Sequence, residues 1–273
     1  MDDSFFTVLS RHISDLRRTT IRIVYAFLGI FAFFLLFGIH KVTLFGRTFL
    51  FLYPDVYRNM PSQLLVILEN HVLPAGTKLI IVSPTNGVVA NVYIALFMSL
   101  IVSMPVIVIE LSKFIGPALK KSEKVLIRTI TLPATFLFAL GAFVGLWLIA
   151  PALFIIFKDF DLGLNSSPTM GVSNFTSFLL LYMLSFGLAF ETPVIMYGLT
   201  RAGMVTSEFW ISHWRYAVIG ALIFGWIFSP GVLGFTMIIM SIPIISLYFL
   251  GAYFSRRYEK KLASKKNAYS SGA

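Results

Sequence analysis

The sequence predicts an all-α integral membrane protein with six transmembrane helices and both termini on the cytoplasmic side. Three observations predict it. First, 58% of the 273 residues are hydrophobic and only 12% are charged, with a mean hydropathy of +0.85. A soluble domain carries about a quarter charged residues and has no interior large enough for this much apolar surface, so the bilayer is the solvent. Second, the apolar residues gather into six runs, at about 19–39, 88–110, 125–150, 174–200, 216–228 and 232–254. Third, the cations sit on alternate connections. Of 22 Lys and Arg, seventeen fall in the N-terminal segment, the 111–128 region, the 201–215 loop and the tail, leaving five for the other face. The positive-inside bias puts the richer face in the cytoplasm, in the cell membrane. The net charge of +10 is then an orientation signal and not a nucleic-acid surface.

The elements follow in order. Phe5, Leu9, Ile13 and Leu16 recur at helical spacing, with Asp2, Asp3 and Ser4 suited to open a helix. This predicts an amphipathic helix lying on the membrane and running into span 1, where Arg22 lies one turn inside and snorkels back. In the long connection 40–85, Pro61–Val72 reads as a helix and Lys78–Val82 as extended chain. The apolar content of this connection predicts packing against the spans. Span 2 includes Pro105, and the short stretch Phe114–Glu123 follows it. Span 3 includes Pro133 and is expected to close at Pro151, leaving 157–173 as a loop. Span 4 carries Glu191 and Pro193; a polar loop over 201–215 leads to span 5. Span 5 has about 13 residues, roughly 20 Å of helix against a hydrocarbon core of about 30 Å. Trp147 and Trp226 fall near the outer interface, Trp210 and Trp214 near the inner one. Residues 1–258 read as a single membrane domain and 259–273 as a basic, disordered cytoplasmic tail.

Several chemistries have no residues here. There is no cysteine, hence no disulfide or thiolate metal site. No Walker-type phosphate loop, no His-Glu-x-x-His and no Gly-x-Ser-x-Gly occurs. The histidines, His12, His40, His71 and His213, all lie outside the span interiors. No enzymatic activity, metal or cofactor is expected.

Glu191 is the acid well inside a span. A carboxylate there costs on the order of 3 kcal/mol, which marks it as a functional candidate facing a cavity or partner. The plain alternative is a structural hydrogen bond between helices, helped by Pro193, which frees a carbonyl one turn back near Ala189. Asp15 and Glu123, each alone, read as solvated acids. Together, at cytoplasmic ends of spans and among cations, they form a pair suited to receive guanidinium groups through bidentate hydrogen bonds.

Four segments then carry a family resemblance. His12-Ile-Ser-Asp-Leu-Arg17 is similar to the motif that opens the first span of TatC, the polytopic subunit of the twin-arginine translocase. Phe114-Ile-Gly-Pro-Ala-Leu-Lys-Lys-Ser-Glu123 matches that family's first cytoplasmic loop. Gly187-Leu-Ala-Phe-Glu191-Thr-Pro-Val194 matches its span 4, and Arg215-Tyr216, Gly220 and Ser229-Pro230 follow in register. The resemblance runs from about Leu9 to Tyr258. It implies a glove-like concave bundle with short helices 5 and 6. It also implies a receptor for paired-arginine signal peptides, in a complex that exports folded proteins on the proton-motive force. By the same resemblance Asp15 and Glu123 contact the arginine pair, and Arg17 and Phe114 belong to that surface. Glu191 is the intramembrane polar residue. Ser229 and Pro230 lie where single-span TatA- and TatB-type partners join, and self-association is expected. Departures are Asp15 in place of Glu, Glu110 in place of the frequent Gln, Ser112 in place of an aromatic, and no Asp after Pro230. The competing reading is a six-span proton-coupled solute transporter using Glu191; a scaffold with no site of its own is a third.

Overall fold

The computed structural model describes residues 3–44, 47–115, 124–228 and 234–270, with side chains over 16–41, 49–111, 130–228 and 236–264. It is mostly helical. Five helices are long and apolar enough to cross a membrane: Leu16–Leu36, Asn86–Leu111, Ile130–Gly163, Val172–Arg201 and Thr236–Ser264. The shorter apolar helix Trp214–Phe228 occupies the place of the predicted span 5. Two compact units divide the chain, residues 1–135 with 143–184 and residues 136–142 with 185–273.

In the first unit, α1 (Asp3–Leu36) is one continuous helix, so the N-terminal segment runs into the span without a break. It ends at Leu36 and not near residue 39. The chain there turns into an antiparallel hairpin, β1 (Phe37–Leu44) and β2 (Arg47–Pro54), which adds β-structure to a fold expected to be all-α. Helix α2 (Met60–Val72) follows as predicted, with Pro61 in its first turn. Asn59 caps it: Oδ1 accepts from Ser62 N–H at 3.1 Å. The same fully buried side chain donates to the Leu35 carbonyl at 2.9 Å, so the cap also pins α2 to the end of α1. Leu68 and Val72 are buried, and α2 packs on α3 (Asn86–Ile115). The extended stretch is β3 (Lys78–Ile80), paired in parallel with β4 (Thr169–Gly171).

The third helical run departs from expectation. Helix α4 (Lys124–Val144) passes through a π-helical turn, Gly145–Ile149, into α5 (Ala150–Gly163), so Pro151 does not close the span. A proline inside a helix removes one N–H and crowds the carbonyl four residues back. Here that carbonyl belongs to Trp147, within the π-turn, and His71 Nε2 lies 3.3 Å from it. The His71 ring also stacks on Trp147 at 4.0 Å. The wider turn makes room for the proline and α2 supplies the missing donor. Downstream, Phe154, Phe157, Phe175, Phe178 and Tyr182 form a chain of ring contacts between α5 and α6 (Val172–Phe190).

In the second unit, close helix contacts depend on glycine. A Cβ at Gly141 would stand 2.7 Å from Phe190 Cβ, and one at Gly187 would stand 2.7 Å from the Phe138 ring. Each helix thus offers a notch to the other's phenylalanine, the small-residue packing that lipid-embedded helices use to approach. Helix α7 (Thr192–Arg201) packs on α10 (Gly234–Ser270) where Gly251 meets Pro193 and Met196. Between them lie α8 (Ser207–Ser212), inside the predicted polar loop, and α9 (Trp214–Phe228). Ser241 Oγ donates to the Ala221 carbonyl at 2.8 Å, fixing the short α9 to α10. Glu259 accepts from Ser207 N–H at 3.1 Å and Ser207 Oγ at 2.5 Å, capping α8. That contact falls in the segment expected to be a disordered tail, and α10 runs through it to Ser270.

Candidate functional site

Of the predicted receptor residues, Asp15 and Arg17 lie on α1 and Phe114 at the end of α3, two helices that pack together. Asp15 and Arg17 are in α1, two turns and rather more than one turn before Arg22. The Asp15 side chain lies outside the described residues; Arg17 is exposed. Phe114 is in the last turn of α3, one turn after Glu110, and its side chain is also outside the described residues. Glu123, Ser229 and Pro230 lie outside them altogether.

An ion pair between distant positions joins α1 to α3 at this level. Arg22 Nη1 donates to Glu110 Oε2 at 3.4 Å. The Glu110 carboxylate is buried, at 9% exposed, whereas the Arg22 side chain is 64% exposed. Burying a carboxylate is costly unless a cation and hydrogen bonds meet it. The signal was present: one cation and one acid, each just inside an apolar run, on runs whose ends share a face. Local rules make Arg22 a snorkelling side chain, and the family pattern marks Glu110 only as a departure from glutamine. The pair sets the α1 backbone about 10 Å beyond Asp15, and that of α3 about 6 Å before Phe114, by helical rise.

Glu191 sits in the second unit, at the one-residue break between α6 and α7. It is buried, at 7% exposed, and Oε1 has no hydrogen-bond partner among the described residues. Pro193 does leave the Ala189 carbonyl without its helical donor, and the Thr192 hydroxyl takes it at 2.7 Å. The carboxylate is therefore not consumed by the helix break. Among the described residues no group of three or more His, Asp or Glu is placed to hold a metal.

The chain matches a family model described as Sec-independent protein translocase protein (TatC) over residues 11–243. The chain belongs to the TatC family. A TatC of Cenarchaeum symbiosum is 35% identical over 251 residues, covering 92% of this chain and 95% of that one. The TatC of Aquifex aeolicus is 32% identical over 194 residues, covering 69% and 76%. Two crystal structures of a TatC, each described as a twin arginine translocase receptor, align with TM-scores of 0.72 and 0.68. They share 27% and 28% identity, cover 89% and 90% of this chain, and are themselves covered to 99% and 98%. The chain is thus a multi-pass membrane component of the twin-arginine transport system, in a family of translocase subunits and not of enzymes.

Proposed function

We propose that this chain is the signal-peptide receptor of a twin-arginine translocase. Asp15 and Glu123 receive the two guanidinium groups by charge-assisted, bidentate hydrogen bonds, with Arg17 and Phe114 on the same surface. Counting α9, six spans put both termini in the cytoplasm, in agreement with the Lys and Arg distribution. Single-span TatA- and TatB-type subunits join near Ser229 and Pro230, further copies of the chain associate, and folded cargo moves on the proton-motive force. Glu191 serves as the polar group that a partner or cargo segment meets inside the membrane.

The observation that carries this reading is the extent of the family match. Residues 11–243 contain Asp15, Arg17, Phe114, Glu123, Glu191, Ser229 and Pro230 together. The test is export of a folded reporter behind a paired-arginine signal, in cells whose own TatC is replaced by this chain. The Asp15→Ala/Glu123→Ala variant, present at wild-type level, abolishes export; undiminished export contradicts the assignment.

The unpartnered Oε1 of Glu191 also suits a proton-coupled solute transporter. Solute-dependent proton flux by the purified chain alone in liposomes would favour that reading, and its absence with export intact favours the receptor.

A further inference from the structure

Where α7 and α10 leave their apolar runs, the second unit holds a cavity of about 400 Å³ lined by Tyr197, Arg201, Phe254, Arg257, Tyr258, Lys261 and Leu262. We propose that this cavity binds the phosphate headgroup of an anionic phospholipid, its acyl chains lying along Phe254 toward the bilayer. Arg201 closes the candidate span Val172–Arg201. On α10 the apolar run ends at Phe254 and gives way to Ser-Arg-Arg-Tyr-Glu-Lys-Lys. The cations therefore stand at headgroup depth, and basic pockets between spanning helices at that depth suit anionic headgroups.

The side chains form a site and not merely a charged edge. Three cationic residues from two helices line one cavity, together with two tyrosines and no acid. Arg201 Cζ stands 6.0 Å from the Tyr258 ring centroid, and the Tyr197 and Tyr258 rings meet edge to face at 5.6 Å. The Arg201 guanidinium thus lies over one ring, a contact that does not use its N–H groups. Among the described residues none of the three cations is in an ion pair. The nearest acid in sequence, Glu259, is engaged by Ser207. The positive-inside bias accounts for basic residues at this end of the helices. It does not account for their convergence with two tyrosines on a cavity of the size small ligands occupy, about 300–1,000 Å³. Five of the seven lining residues lie beyond residue 243, where the family match ends, so the proposal does not rest on the receptor reading.

The test is native mass spectrometry of the full chain in zwitterionic detergent, titrated with phosphatidylglycerol, phosphatidylcholine of matched chains, or inorganic phosphate. Wild type retains phosphatidylglycerol at concentrations at least about tenfold below phosphatidylcholine. Removing three surface cations, in R201Q/R257Q/K261Q, weakens that retention by on the order of a hundredfold. Lys261→Gln alone, on an exposed side chain, weakens it by about fivefold with melting unchanged. The R256Q/K260Q control, whose residues do not line the cavity, leaves it as in wild type. Equal retention of both lipids, an unaffected triple variant, or equal loss in the control overturns the proposal. Inorganic phosphate binding as tightly as phosphatidylglycerol overturns the lipid assignment in favour of a soluble anion.

Discussion

Arg22 and Glu110, 88 positions apart in sequence, meet at 3.4 Å and join α1 to α3. The pair is asymmetric: water reaches the arginine, while the carboxylate is buried. Removing the cation takes an ion-pair partner from a buried carboxylate, so Arg22→Ala lowers stability by about 1 kcal/mol, the modest size reflecting the exposed arm. The reversed pair R22E/E110R recovers part of the loss. Thermal unfolding of the purified chain in detergent measures both; an unchanged midpoint in Arg22→Ala contradicts the pairing.

Gly187 and Gly220 make opposite predictions although both are helical. Gly187 receives the Phe138 ring, whereas nothing stands within 4 Å of a Cβ at Gly220. Gly187→Ala therefore overpacks the α4–α6 contact and costs about 1–3 kcal/mol. Gly220→Ala is neutral or gains up to about 1 kcal/mol from helix propensity. Comparing the two midpoints in one detergent checks the packing directly.

The Trp147 carbonyl links a proline in one helix to a histidine in another. His71→Ala removes its donor and the stacked ring, and costs about 1 kcal/mol or somewhat more. The effect is local. Amide hydrogen exchange rises over α2 and the Gly145–Ile149 turn, while α6 and α10 keep wild-type protection.

Asp55 makes the extramembrane connection sensitive to acid. Its carboxyl is held below the usual value chiefly by the Arg58 backbone N–H, helped by the Tyr57 N–H and by the charges of His40 and Arg58. Both N–H groups donate to Oδ1 at 2.9 Å, and His40 Nε2 is 3.3 Å from Oδ2. A depressed folded-state value means the contribution is present above the unfolded pKa, about 3.9, and is lost as pH falls through the folded one. Hydrogen exchange over Phe37–Arg58 accordingly rises below about pH 4 in wild type, and Asp55→Asn flattens that dependence.

These cases also show what the sequence carried. The apolar runs, the Pro61 helix, the extended Lys78 stretch and the Ala189 carbonyl freed by Pro193 follow from local rules, and the structure has them. Local rules predict a stop at Pro151 because proline usually ends a helix. Its tolerance depends on His71, 76 residues away in sequence from the Trp147 carbonyl, which no local window sees. The hairpin was missed because no two-residue turn signal separates β1 from β2 and the first strand extends an apolar span. The charge of 259–273 predicts a disordered tail, yet Glu259 is tied to Ser207 across 52 positions. For the receptor surface, residue types and family pattern singled out Asp15 and Glu123. The neighbouring Arg22–Glu110 pair needed the packing of α1 on α3.

The central claim is that Asp15, Phe114 and Glu123 meet the arginine pair. It is tested most directly by photo-crosslinking from those three positions to a paired-arginine signal peptide, with a Lys-Lys peptide as control. The Lys-Lys peptide keeps the charge and loses the planar fork that bidentate recognition needs. The account predicts crosslinks to the arginine peptide from all three positions, at most weak ones to the Lys-Lys peptide, and loss of the Phe114 crosslink in the Asp15→Ala/Glu123→Ala variant. Equal crosslinking of the two peptides, or an undiminished Phe114 crosslink in that variant, would contradict it.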